Sequence, residues 1–134
     1  MDGAAFSSLY RTTPQGDPDQ DDFWNAAVCG SWPGTADSLL ERLLMLESRL
    51  GRLRDPARPK GPRVLDLDLL AFGNEVRETP RLWLPHPRLA ERRFALEPLI
   101  ELDAVAADPS TGRLWAELPA ALGAQGVDRT DLSW

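Results

Sequence analysis

The sequence predicts an α+β domain, and three observations point there. Leu39, Leu40, Leu43, Leu44, Leu46 and Leu50 recur with helical spacing. Several β-prone segments flank that stripe without the regular strand–helix–strand alternation of a parallel sheet. At 134 residues the chain is most simply one domain over 1–134, long enough for a single core.

In order, Ser7-Ser8-Leu9-Tyr10-Arg11-Thr12 has the composition of a short strand. Thr13 to Asp22 reads as a loop, with Pro14, Gly16, Pro18 and four aspartates. Phe23 to Trp32 is the next strand, stopped by Pro33-Gly34. Thr35 is placed to N-cap the leucine helix and Gly51 to end it. Pro56, Pro59, Gly61 and Pro62 keep Arg52 to Arg63 out of regular structure. Val64 to Phe72 alternates at its centre like a strand, and Gly73-Asn74 makes a hairpin turn into Glu75 to Arg77. Prolines extend Leu82 to Pro87, Arg88 to Ile100 holds a short helix, and Pro109 to Trp134 is a looser tail with one more helix around Trp115 to Leu122.

Composition excludes several function classes. No apolar run approaches the roughly 20 residues of a membrane helix, and Met1-Asp2-Gly3 opens no signal peptide. Cys29 is the only cysteine, so there is no intrachain disulfide and a cytoplasmic location fits best. A net charge of −6 argues against nucleic-acid binding. Yet six of the 15 basic residues, Arg49, Arg52, Arg54, Arg58, Lys60 and Arg63, fall within one stretch that only Asp55 interrupts. That concentration suits a small polyanionic ligand; a solvated charged loop has the same composition.

Asp66 and Asp68 are the first candidates for chemistry. Residues i and i+2 of a strand point the same way, which sets these carboxylates about 6–7 Å apart on one face. Two such charges repel unless a cation neutralises them, and paired hard oxygens suit Mg²⁺ completed by phosphate and water. The alternative is a solvent-facing strand edge. Arg52, Arg54 and Arg63 on the preceding loop could fork onto phosphate oxygens, which with a metal pair is the equipment of phosphoryl transfer. No P-loop motif is present. His86, the only histidine, lies between Pro85 and Pro87 and is either a phosphate contact or a surface turn residue. Arg92 and Arg93 add charge beside the flat ring of Phe94. Phe23 and Asn25 share a strand face, where a ring and an amide suit a planar heterocycle, or else form a core Phe beside a structural Asn.

Three blocks together resemble one family. They are Ser7-Ser8-Leu9-Tyr10-Arg11-Thr12-x-Pro14-x-Gly16 followed by Asp19-Gln20-x-x-Phe23-x-Asn25-Ala26; Glu47-x-x-x-Gly51-Arg52-x-Arg54 with Gly61-Pro62-Arg63-x-Leu65-Asp66-Leu67-Asp68-Leu69-Leu70-x-Phe72-Gly73; and Pro85-His86-Pro87-Arg88-x-x-x-Arg92-x-Phe94-x-Leu96-x-Pro98-Leu99. The chain is similar to the 6-hydroxymethyl-7,8-dihydropterin pyrophosphokinases from about Ser7 to Asp108, with 109–134 as a C-terminal tail. The resemblance implies a ferredoxin-like core and transfer of diphosphate from ATP to a pterin alcohol in folate biosynthesis. It implies two Mg²⁺ ions on Asp66 and Asp68, and catalysis by Arg54, Arg63 and the two aspartates. Glu47, Arg52, Arg54, Arg58, Lys60, Arg63, His86 and Arg92 match nucleotide-side positions, with Arg58 and Lys60 alternatives for one basic role. Thr12, Phe23, Asn25 and Phe94 match the pterin side. ATP and the pterin alcohol are the implied partners of a monomer, with no nucleic acid or membrane.

The pattern departs at Leu44, where the family commonly has glutamine, and at Lys60, where it often has an aromatic residue. The family also begins with a strand, a loop and a helix ahead of the first block, so an N-terminally truncated fold is expected, with an interior strand's ladder groups left to find other partners. A non-catalytic pterin- or nucleotide-binding relic is the alternative function.

Overall fold

The computed structural model describes residues 2–13, 23–51, 66–123 and 125–132. In chain order its elements are β1 (Asp2–Phe6), β2 (Tyr10–Thr12), β3 (Phe23–Asn25), β4 (Val28–Ser31), α1 (Ala36–Gly51), β5 (Arg77–Glu78), β6 (Trp83–Leu84), α2 (Arg93–Leu102), α3 (Pro119–Leu122) and β7 (Val127–Arg129). Single 3₁₀ turns at Leu89–Glu91 and Trp115–Glu117 precede α2 and α3. Every strand pairing is antiparallel, so the architecture is α+β. Two compact units result, Met1–Ser31 with Pro87–Trp134, and Trp32–His86.

In the first unit β2 is the central strand of a three-stranded sheet ordered β3-β2-β7. Tyr10 faces Asn25 and Arg129, Arg11 faces Trp24 and Asp128, and Thr12 faces Phe23 and Val127. Phe23 to Trp32, expected as one strand, breaks at Ala26-Ala27: β3 joins β2, while β4 pairs with β1. Buried Ser7 holds the break. Its N–H donates to the Ala27 carbonyl at 2.9 Å, and its hydroxyl accepts from the Ala27 N–H and donates to the Ser8 carbonyl, both at 2.8 Å. The expected strand from Ser7 likewise shortens to Tyr10–Thr12, because Ser7 and Ser8 spend their polar groups on these side contacts. β1, which periodicity had not marked, carries a register shift between Asp2 and Ala5; Gly3 has φ of +63° there, which glycine adopts without Cβ strain.

Helix α2 closes this unit. Leu89, Leu96, Pro98, Trp115 and Tyr10 are buried around it, and it packs against β2 and β3. Its first turn is held from the tail: Gln125 Oε1 accepts the Arg93 N–H at 2.9 Å, and Gln125 Nε2 donates to the Glu91 backbone carbonyl at 3.2 Å. The tail expected to be loose therefore carries the helix cap and, in β7, a sheet strand.

In the second unit α1 starts as expected. Thr35 Oγ1 accepts the Ser38 N–H at 3.1 Å, and the Thr35 carbonyl accepts the Leu39 N–H at 3.1 Å. Ala36, Leu82 and Leu84 form the core, with Leu40, Leu69 and Phe72 packed against them. The Gly73-Asn74 turn exists, closed by Glu75 N–H to the Phe72 carbonyl at 3.0 Å, but it leads to no hairpin with the preceding segment. β5 pairs instead with β6, across a turn in which Thr79 and Leu82 exchange backbone and hydroxyl bonds. Of the strand expected over Val64 to Phe72, residues 66–72 are described, and they belong to no sheet. Their polar groups turn elsewhere: the Leu67 N–H to the Glu47 carboxylate, and the Leu70 carbonyl to the His86 N–H at 2.8 Å. Alternation without a neighbouring ladder gives an extended-pattern segment, not a strand.

Leu84 has no exposed surface, whereas its neighbour Trp83 is 46% exposed. Urea unfolding of Leu84→Ala is expected to show a loss of about 2–5 kcal/mol, and Trp83→Ala a loss under about 1 kcal/mol. Equal losses would place the core of this unit on the other face of the hairpin.

Candidate functional site

Three of the expected pterin-side residues, Thr12, Phe23 and Asn25, share one sheet face. Opposed residues of antiparallel strands, and residues two apart along a strand, lie on the same sheet face. Thr12, Phe23 and Asn25 therefore line the face that also carries Tyr10, Val127 and Arg129. The Asn25 amide donates to Thr12 Oγ1 at 3.2 Å, which fixes the side-chain amide beside the Phe23 ring. That ring is 55% exposed, so it is not a core Phe. Phe94 stands at the start of α2 in the same unit, with the Arg92 guanidinium carbon 5.4 Å from its ring centroid. Between α2 and this sheet face lies a cavity of about 290 Å³ lined by Tyr10, Arg93, Glu97, Ile100, Glu101, Val127 and Arg129.

Of the expected nucleotide-side residues, Glu47 and His86 lie in the Trp32–His86 unit, as do the expected metal ligands Asp66 and Asp68. Exposure alternates through Asp66-Leu67-Asp68-Leu69, with both aspartates in solvent and both leucines half-buried, as the sequence pattern demanded. Glu47 points from α1 at the Leu67 N–H, between the two aspartates, so one carboxylate holds the backbone of the pair. His86 is half-buried and its N–H is committed to Leu70. Arg92 belongs to the other unit, beside Phe94. Arg52, Arg54, Arg58, Lys60 and Arg63 lie outside the described residues. Among the described residues no three metal-ligating side chains cluster. Two exposed carboxylates alone still fit Mg²⁺, which takes one or two protein carboxylates and fills its shell from phosphate and water.

Sequence reasoning passed over Glu101, a carboxylate of the first unit that meets several donors at once. Oε2 accepts the Ser8 N–H at 2.8 Å and the Ser8 hydroxyl at 3.2 Å; Oε1 accepts the Tyr10 hydroxyl at 2.7 Å and lies 3.5 Å from Arg129 Nε. Burial alone would raise its pKa, but the Tyr10 and Ser8 hydrogen bonds and the Arg129 charge hold it below the ordinary value of 4.5. Burial, then the Glu101 hydrogen bond and charge, push the Tyr10 phenol far up, so it stays a donor. The available signal was Glu101 following Phe94 by seven positions on an amphipathic helix, the same face two turns on. Elsewhere Arg77 pairs with Asp37 at 2.5 Å and Glu75 at 2.6 Å, lowering the Asp37 pKa through its hydrogen bond; these half-exposed groups tie β5 to the first turn of α1.

A model of the 7,8-dihydro-6-hydroxymethylpterin-pyrophosphokinase family matches residues 2–104. The chain belongs to this family. It is 43% identical over 129 residues to the 2-amino-4-hydroxy-6-hydroxymethyldihydropteridine pyrophosphokinase of Methylorubrum extorquens, covering 95% of this chain and 78% of that protein. It is 45% identical over 96 residues to the protein of that name from Bacillus subtilis, covering 72% and 56%. With the Pseudomonas aeruginosa one it shares 38% over 125 residues, covering 93% and 75%.

Two outcomes follow from this geometry. Glu101 has a folded pKa below its unfolded one, so its stabilisation is present above about pH 4.5 and lost as pH falls through the lower folded value. Acid titration of stability should therefore decline less steeply below pH 4.5 in Glu101→Gln than in the natural chain. Second, Glu47→Ala should speed amide exchange at Leu67 by about tenfold or more, since its acceptor is gone. Unchanged protection at Leu67 would mean that Glu47 does not hold the aspartate pair.

Proposed function

We propose that the protein transfers the terminal diphosphate of ATP to 6-hydroxymethyl-7,8-dihydropterin, releasing AMP. The observation that carries this is membership of the pyrophosphokinase family over most of the chain, with the three motif blocks in order. A clustered row of Thr12, Phe23 and Asn25, half open to solvent, supports a planar heterocycle as the acceptor. The non-catalytic relic is not favoured, because the relatives are named as pyrophosphokinases. The reading carries with it a ferredoxin-like core, a single domain, a monomer and a cytoplasmic setting; among the described residues no helix is long and apolar enough to cross a membrane.

In the reaction, the hydroxymethyl oxygen of the pterin attacks the β-phosphorus of ATP. A new oxygen–phosphorus bond forms, the bond from the β-phosphorus to the α,β-bridging oxygen breaks, the hydroxyl proton is released, and AMP departs. Phe23 and Phe94 stack the pterin between two faces, and the Thr12–Asn25 pair offers it hydrogen bonds. Asp66 and Asp68 would hold two Mg²⁺ ions, which supply charge neutralisation on the phosphates. Glu47 keeps the backbone of that pair in place besides its nucleotide-side role. Arg54 and Arg63 stabilise charge on the transferred group, Arg52, Arg92 and one of Arg58 or Lys60 contact the remaining phosphates, and His86 contacts the nucleotide. No covalent enzyme intermediate is needed, since positioning and electrostatics suffice.

AMP release from ATP that depends on added pterin alcohol tests the reading; release independent of it would refute it. Asp66→Asn and Asp68→Asn are expected to lower turnover by about 10²-fold or more while leaving the fold intact, because neither exposed side chain fills the core. Arg63→Ala should cost a few kcal/mol of transition-state stabilisation, roughly 10²-fold in rate.

A further inference from the structure

Helix α2 carries two groups of opposite kinds on one face. At its first turn Phe94 stands over the end of the unit where Arg92 lies against the ring. Seven residues on, which is two turns and about 10 Å along the axis, Glu101 faces the same way. Glu101 does not touch the Thr12–Phe23–Asn25 row. It grips the strand that supports it, through Ser8 just before β2 and Tyr10 at its start. Tyr10 adds a longer bond to the Glu97 carbonyl at 3.4 Å, one turn back on the same helix. Arg129, opposite Tyr10 on β7, completes the set at 3.5 Å.

These bonds constrain the rotation of α2 about its axis and its slide along β2. An apolar contact alone would fix neither, because dispersion and burial are non-directional. On the pterin reading, the spacing between Phe94 on α2 and Phe23 on the strand beside β2 depends on both freedoms. We infer that Glu101 is a positioning residue for the heterocycle site, setting the spacing of its two aromatic faces by locking α2 onto β2 without meeting the ligand. The inference rests on the pterin reading above and extends it to a residue outside the motif blocks.

The test is equilibrium binding, so it needs no turnover. The pterin alcohol is titrated by its own fluorescence in the presence of Mg²⁺ and a non-hydrolysable ATP analogue. The analogue is titrated separately by calorimetry. Both are done well below the melting transition of each variant, with foldedness checked by circular dichroism. Glu101→Ala should weaken pterin binding roughly tenfold, as small misplacements of positioning groups do, while analogue affinity stays within about twofold. Glu101→Gln should restore pterin binding to within about threefold, because its carbonyl can accept from Ser8 and its amide can donate to the Tyr10 oxygen. Tyr10→Phe, which keeps the buried ring and loses only the hydroxyl, gives a milder variant should Glu101→Ala fail to fold; it should weaken pterin binding by about threefold with the analogue unaffected. Equal weakening of both ligands, or no weakening of either in Glu101→Ala or Tyr10→Phe, would overturn the inference while the pterin reading stands. A natural chain that binds no pterin alcohol would overturn both.

Discussion

A carboxylate shielded from most of the solvent cannot stay charged without donors, and Glu101 has four around it. Its side chain is only 17% exposed. The donors come from the approach to β2, from β2 itself and from β7, so meeting the demand of one charge joins two strands to a helix. A hydrophobic residue there would bury as well and align nothing. Around this contact the other arrangements of the unit fall into place: Ser7 closes the β3–β4 break beside it, and Gln125 holds the far end of α2.

The Trp32–His86 unit solves a related problem by other means. The segment carrying Asp66 and Asp68 has no sheet neighbours among the described residues, and its amides still need acceptors. Glu47 serves one amide, while Leu69 and Phe72 anchor the segment in the Ala36–Leu82–Leu84 core. Side-chain anchoring of this kind leaves both aspartates facing water.

What could be read from sequence followed how local its cause was. The Thr35 cap, the leucine helix and the Gly73-Asn74 turn depend on residues within four positions of one another, and each formed where expected. The alternation through Asp66 to Leu69 correctly gave which side chains meet solvent, yet not whether a ladder would exist, since that depends on another segment. The pairing of β5 with β6 overrode a weaker local hairpin signal for the same reason. The motif blocks singled out Thr12, Phe23, Asn25 and Phe94 by resemblance, and strand register sets the first three on one sheet face. Glu101 and Gln125 stayed hidden because nothing in a lone Glu or Gln announces a bond to residues some thirty to ninety positions away.

The pairing of β2 with β7 joins Tyr10 to Arg129, residues from opposite ends of the sequence. During synthesis β2 and β3 are available well before β7. Until then β2 offers an open edge, the kind of surface on which nascent chains associate wrongly. Closing so long a loop also carries an entropic barrier before the ladder rewards it. A chain built this way completes this sheet only once β7 has been made, which lets a strand remote from any motif decide when the sheet is finished.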